Sequence, residues 1–273
     1  MNQQLWQDIR IPTDTEDLAW EVLHENSKAS RYNPITPPEV VRARMNELLE
    51  TLSFDQYPSI PLPTSFTPMQ LSLTEAITNR TTARSMQPCL LTLENIATLF
   101  HYAYGINRSN QETVFPRPFR MVPSGGALYP LELFFHNAQG GELSAGLYHY
   151  NPLKHALSFL RYGDDSRHLS QAMVQGNLAL DASMMIFITA MFERSTFKYG
   201  DRGYRFTCIE AGHVAQNINL VCTAMGLGCV NIGGYYDRQI DSLLGLDGLI
   251  QSTIYMIAIG QTGEDTATVT SDV

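Results

Sequence analysis

Seven of the fourteen prolines, Pro34, Pro37, Pro38, Pro58, Pro61, Pro63 and Pro68, fall within 35 residues near the start of the chain. Proline has no N–H to donate and its ring clashes with the preceding helical turn, so this stretch is neither a continuous helix nor a central strand. Between the two proline clusters, residues 39–52 place Val41, Met45, Leu48, Leu49 and Leu52 at the i, i+4, i+7, i+8 positions of one helix face. The spacing predicts an arm over residues 1–70: a helix, a kinked extended connector and few strands, wrapped over something larger. An arm of this length suits a reach across a dimer partner.

From Leu71 the texture changes. Residues 71–77 have a helical pattern, and Thr92 is placed to N-cap a helix whose stripe is Leu93, Ile96, Ala97, Phe100 and Tyr104, closed by Gly105. Strands are predicted over 128–136, 146–150, 156–161, 184–191, 227–234 and 253–260, with a long helix over 206–225. Small residues on that helix (Ala211, Gly212, Ala215, Ala224) allow close approach of a neighbour, in the core or at a subunit interface. Residues 71–262 therefore form one domain with both helices and strands, and the polar residues 263–273 form a frayed tail.

Composition narrows the function. The chain carries 18 basic and 27 acidic residues, a net charge of −9, which disfavours nucleic acid and anionic lipid as partners. The most apolar run, residues 184–192, is about half of the roughly 18 residues that span a bilayer, and the start has no secretory pattern, so the cytoplasm is the expected location. Cys89, Cys208, Cys222 and Cys229 lack metal or C-x-x-C spacing and are expected to be reduced core thiols. The seven histidines show no ligand spacing either, so no metal is expected; His213 is expected to be a packed core histidine.

Four stretches can carry chemistry. Arg80-Thr81-Thr82-Ala83-Arg84-Ser85 presents two guanidinium forks with hydroxyls between them, a set that suits one phosphate, though a solvated loop has the same look. Pro123-Ser124-Gly125-Gly126-Ala127-Leu128-Tyr129-Pro130 lets backbone N–H groups approach a planar or anionic ligand, or simply makes a tight turn. Residues 193–205 gather Arg194, Lys198, Arg202 and Arg205 around Tyr199 at the end of an apolar strand, where an ion-pair network with Glu193 and Asp201 is the plain alternative. Neighbouring positive charge favours a neutral lysine and a phenolate, the forms that accept a proton. Lys198 is one of only three lysines. The fourth stretch runs from Gly226 to a second glycine pair, Gly233-Gly234, which is either a plain turn or a backbone approach to a flat ring.

Together and in this order, RTTAR (80–84), PSGGALYP (123–130), GLYHYNP (146–152), KYGDRGYR (198–205), EAGHVAQN (210–217) and the glycines at 226, 228, 233 and 234 resemble the flavin-dependent nitroreductase superfamily. The resemblance covers nearly the whole chain, including Ala19-Trp20 and residues 24–28 at the front. The Lys-Tyr-Gly-Asp-Arg-Gly-Tyr-Arg run is similar to that of the azoline dehydrogenase branch, which serves thiazole/oxazole peptide clusters and synthetase modules. The resemblance implies an α+β sandwich, a central mixed, antiparallel-rich sheet flanked by helices, in an intertwined homodimer with FMN at the interface. It implies that Arg80, Thr82 and Arg84, with Thr81, hold the phosphate and ribityl chain. Ser124, Gly125, Gly126 and Ala127, with Pro123 and Tyr129, would line the isoalloxazine edge, and Gly233 and Gly234 would supply backbone donors. Lys198 and Tyr199 would be the catalytic pair, one taking a proton from carbon while hydride goes to the flavin, which dioxygen then reoxidises.

Two departures stand out. The family's phosphate-binding cation near the C-terminus is missing, since the last cation is Arg238, so Arg202 or Arg205 is the expected substitute. Thr81-Thr82 stands where the family often has Arg-Ser. The expected activity is oxidation of a thiazoline or oxazoline in a peptide or carrier-bound intermediate, beside a cyclodehydratase or synthetase partner. The alternatives are NAD(P)H-dependent reduction of nitro compounds or quinones on the same flavin, and a non-catalytic scaffold subunit of a heterocyclase complex.

Overall fold

The computed structural model describes residues 19–29, 36–110 and 117–263. Among the described residues ten strands are formed: β1 (Ser59–Pro61), β2 (Met86–Gln87), β3 (Ile106–Arg108), β4 (Phe119–Arg120), β5 (Leu131–Asn137), β6 (Gly146–Asn151), β7 (Ala156–Tyr162), β8 (Met184–Met191), β9 (Gly228–Ile232) and β10 (Gln251–Thr262). The helices are α1 (Ala19–Asn26), α2 (Pro38–Glu47), α3 (Leu73–Asn79), α4 (Leu93–Tyr104), α5 (Ser166–Gln171), α6 (Asn177–Asp181), α7 (Glu193–Tyr199), α8 (Asp201–Ala224) and α9 (Asp237–Leu244). The main sheet has eight strands in the order β1-β7-β6-β5-β8-β10-β2, with β9 also on β10. Its pairings among the described residues are all antiparallel, in line with the antiparallel-rich sheet that the resemblance implied.

Strand periodicity sorts the core into two layers. Leu131, Leu133 and Phe135 of β5 join Ile186 and Ile188 of β8 on one face, covered by Ile96 and Phe100 of α4 and Val214 and Ile218 of α8. On the other face Phe134, Phe187, Met256 and Ala258 meet Leu169 of α5, Ala179 of α6 and Ile240 and Leu244 of α9. The central strands are buried on both sides, which is why they read as nearly unbroken apolar runs. Thr92 caps α4 as predicted, its hydroxyl accepting from Asn95 N–H at 3.1 Å. No helix among the described residues is long and apolar enough to cross a membrane.

Three boundaries differ from the sequence pattern. The helix predicted over 39–52 stops at Glu47, where the buried Arg117 Nη2 donates to the carbonyls of Met45 (2.5 Å) and Leu48 (2.9 Å) and ends the ladder. The long helix starts at Asp201, five residues early: Gly200, at φ +55°, breaks the chain from α7 and lets the polar run form the first turns of α8. The described parts of the arm contact their own chain, with β1 pairing β7 as an edge strand that ends at Pro61. Of the tail only Gly263 is among the described residues.

Candidate active site

Antiparallel pairing of β5 with β8 sets Leu131 opposite Ala190. The loop that enters β5 and the helix that leaves β8 therefore meet at one end of the sheet, and Met191 N–H donates to Pro130 O at 2.7 Å. In this way residues 123–130 come against Lys198 and Tyr199, some 70 positions further along the chain.

The loop is strained. Gly126, Ala127 and Tyr129 have φ of +68°, +53° and +47°; Ala127 and Tyr129 are two of only three non-glycine residues with positive φ among the described residues. Such a conformation costs a non-glycine residue about 1–2 kcal/mol, and strain of this kind collects at functional sites. Specific bonds hold it. Ser124 Oγ accepts from Tyr129 N–H (2.9 Å), Tyr129 Oη accepts from Arg120 N–H (3.0 Å), and the Arg120 guanidinium lies over the Tyr104 and Tyr129 rings.

A Cβ on Gly126 would lie 2.7 Å from Tyr199 Oη and 2.9 Å from Lys198 Nζ, so a side chain there would have to move the ends of that pair. Lys198 Nζ sits 5.1 Å from the Tyr199 ring centre, and that ring is edge-on to Phe206. Val41 and Met45 of α2 pack with Leu128, Phe197 and Tyr199, so the arm walls the site. Gly126→Ala is expected to destabilise the fold by about 1–2 kcal/mol and to displace Lys198. A thermal-shift scan checks the first effect; an unchanged melting point would contradict the close packing.

The other predicted residues are dispersed. Arg80 follows α3 as its C-cap, and Thr81, Thr82 and Arg84 are exposed. Their segment runs beside the start of β9, with Ala83 N–H donating to Cys229 O at 3.0 Å. Gly233 and Gly234 follow the opposite end of β9, where Gly234 O accepts from Val174 N–H. Arg202 lies over the Phe206 ring near the loop. Arg205, an expected phosphate ligand, turns instead to α1, donating to His24 O and Ser27 Oγ. Arg194 is buried against Glu132 at 2.6 Å, and Glu193 faces Arg44 of α2.

His213 is exposed, not a core residue: on α8 it shares the outward stripe with Ile209, while Thr207, Ala211 and Val214 face inward. Cys208 is exposed as well, whereas Cys222 and Cys229 are buried as expected.

Glu210, Tyr104 and Arg120 carry the part of the site that sequence reading missed. A lone acid beside the apolar stripe of α8 was the available signal. Glu210 accepts from Tyr104 Oη at 2.8 Å. Burial pushes its carboxyl up to about 7, against the hydrogen bonds from Ser124 and Tyr104 and the charge of Arg120. A cleft of about 240 Å³ opens here, lined by Ser124, Gly125, Phe206, Glu210 and His213.

A sequence model of the nitroreductase family matches residues 77–261. Protein MJ1384 of Methanocaldococcus jannaschii, named as a nitroreductase, is 33% identical over 175 residues, 64% of this chain and 85% of that one. The microcin B17-processing protein McbC of Escherichia coli is 30% identical over 151 residues, 54% of this chain and 56% of McbC, so the match spans little more than half of that relative. A chain of the E. coli microcin synthetase McbBCD complex, solved with truncated pro-MccB17 bound, superposes with a TM-score of 0.58 at 21% identity, covering 91% of this chain and 99% of that one, which is a likeness of fold.

Proposed function

We propose that this chain, which belongs to the nitroreductase family, is an FMN-dependent dehydrogenase that oxidises a thiazoline or oxazoline ring to the azole in a peptide or carrier-bound intermediate. The observation that carries the reading is the seating of Lys198 Nζ and Tyr199 Oη against Gly126, a proton-handling pair beneath a strained glycine loop.

The residues present fit the flavin. The cleft of about 240 Å³ beside Pro123, Ser124 and Gly125 gives a planar ring access to the loop, and the exposed Arg84, Thr81 and Thr82, with Arg80, offer phosphate donors. Arg80, Thr81, Thr82 and Arg84 would hold the phosphate and ribityl chain; Pro123 to Ala127 with Tyr129 would line the ring edge, and Gly233 and Gly234 would add backbone donors. Of the two further cations expected on the phosphate, Arg202 is the better placed, since Arg205 is engaged by α1. FMN, when bound, supplies a two-electron acceptor for the hydride that leaves the ring.

Lys198 or Tyr199 takes the proton from the ring carbon, and the other holds it in place. Val41, Met45 and Leu128 shield the tyrosine from water, which strengthens electrostatic effects between the pair. Similarity to McbC supports a peptide substrate, and the fold shared with a McbBCD chain supports work beside a cyclodehydratase or synthetase. The exposed Tyr204 and Ile209 on α8 support a homodimer.

The test is incubation of FMN-loaded protein with an azoline-containing peptide under air, followed by mass spectrometry. Loss of two hydrogens per ring is the expected result. NAD(P)H-dependent reduction of a nitroarene or quinone without azoline oxidation would favour the second reading, which the likeness to MJ1384 supports. Protein that takes up no FMN would point to the scaffold.

A further inference from the structure

Glu210 touches neither Lys198 nor Tyr199 in any bond described above, yet it lies behind the loop that seats on them. Its carboxyl accepts from Tyr104 Oη at 2.8 Å and shares the cleft with the Ser124 hydroxyl, which favours its charged form. Each hydroxyl in turn accepts a backbone N–H from the far side of the loop: Ser124 Oγ from Tyr129 at 2.9 Å, and Tyr104 Oη from Leu131 at 3.2 Å. The two N–H groups bracket Pro130, which has none, at the point where the left-handed segment becomes strand β5. A side chain 3% exposed on α8 thus fastens both ends of one short stretch of backbone.

We propose that Glu210 is the positioning residue of the site: through Ser124 and Tyr104 it holds residues 124–131 in the conformation that receives the flavin and seats on Lys198 and Tyr199. A carboxylate can accept both hydroxyls, because it has lone pairs on two oxygens and no proton to offer. An amide, or a protonated acid, presents one acceptor and one donor, so one hydroxyl must turn away. The groups facing Glu210 are Tyr104 from α4, Arg120 from β4 and Ser124 from the loop, with His213 on the same cleft from α8 itself. Arg120 holds its place over the Tyr104 and Tyr129 rings and donates through Nη2 to Glu50 O, 2.9 Å away, so the charge nearest the network is fixed by the arm.

The proposal rests on the FMN reading for its ligand but not for its structural readout. Two measurements on the full chain compare wild type, Glu210→Gln and Ser124→Ala: FMN affinity by flavin fluorescence, and hydrogen exchange of the peptide spanning Tyr129 and Leu131. At about pH 8, where the wild-type carboxyl is ionised, Glu210→Gln should weaken FMN about tenfold and speed exchange at Tyr129 and Leu131 to a similar degree. At about pH 5.5, where the acid is protonated and resembles the amide, the variant and wild type should agree within about twofold. Ser124→Ala, on the half-buried loop, should also weaken FMN, and the double variant should lose no more than the worse single.

A Glu210→Gln penalty equal at both pH values, or losses that simply add, would overturn the assignment and leave Glu210 a packing residue. If the wild type binds no FMN at all, the cofactor reading fails, and exchange alone decides: faster exchange in Glu210→Gln at pH 8 and not at pH 5.5 upholds the positioning role, and identical exchange rejects it.

Discussion

Lys198→Ala is expected to bind FMN as the wild type does and to oxidise an azoline at least about a hundredfold more slowly, the usual contribution of a positioned acid or base. Lys198 lies in the last turn of α7 on a half-buried stem, its Nζ held beneath the loop by the close seat of Gly126. Truncation removes the amine and leaves the backbone of α7 and the glycine loop in place, so the flavin contacts proposed for residues 124–127 survive. Tyr199→Phe separates the two candidates for the base. A small loss in that variant beside a large one in Lys198→Ala makes lysine the proton acceptor; the reverse makes it tyrosine. Single-turnover flavin reduction under anaerobic conditions measures the step directly, and an unchanged rate in both variants would remove the pair from the chemistry.

The largest effect on stability is expected at Glu132. Its buried carboxylate lies in an ion pair 2.6 Å from Arg194 Nη1 and accepts from His149 Nε2 (2.7 Å), Thr51 Oγ1 (2.9 Å) and Leu52 N–H (2.8 Å), so one side chain of β5 ties the arm, β6 and α7 together. Burial pushes this carboxyl up, but the charge of Arg194 and the bond and charge of His149 outweigh it and hold it down to about 2. Glu132→Ala strands Arg194, itself 2% exposed, as an uncompensated buried charge, which costs about 3–5 kcal/mol in urea unfolding. A carboxyl depressed in the fold contributes stability above its unfolded value of 4.5 and loses it as pH falls toward 2, so the gap between wild type and Glu132→Gln should narrow over that range. Replacing Glu132 and Arg194 together by leucine should cost less than Glu132→Ala alone, because no charge is left unpaired. A double variant as unstable as the sum of the singles would show the network to matter through shape rather than charge. Because α7 carries Lys198 and Tyr199, the same variants should also slow turnover.

Much of the fold was legible because it is local. The strands over 146–150, 156–161 and 184–191 lie within a residue of their predicted ends, since unbroken or alternating apolar runs record burial directly. Thr92 and Gly105 bounded α4 because capping involves neighbours three and four residues apart. The polar run 193–205 stood out as a candidate site but was illegible as structure. Its charges mask two helices, and only Gly200 in a left-handed conformation separates them. The fate of its cations was equally hidden: Arg194 went to Glu132 in the core and Arg205 to the arm, because their partners are 62 and 178–181 residues away.

Sequence order and residue type established an α+β chain of the nitroreductase family, with a lysine–tyrosine pair, a glycine loop and an arginine–hydroxyl segment as the parts that can do chemistry. These are statements about short stretches, and short-range periodicity, glycine and proline carry them. Tertiary structure alone decided which parts meet. Antiparallel pairing of β5 and β8 brought Gly126 onto Lys198 and Tyr199, folding of the arm walled them, and helix α8 set Glu210 behind the loop. The physical reason is that burial makes a charge or a hydroxyl choose its partner by proximity in space, and a chain that closes distances of 60 to 180 residues leaves no trace of that choice in local spacing.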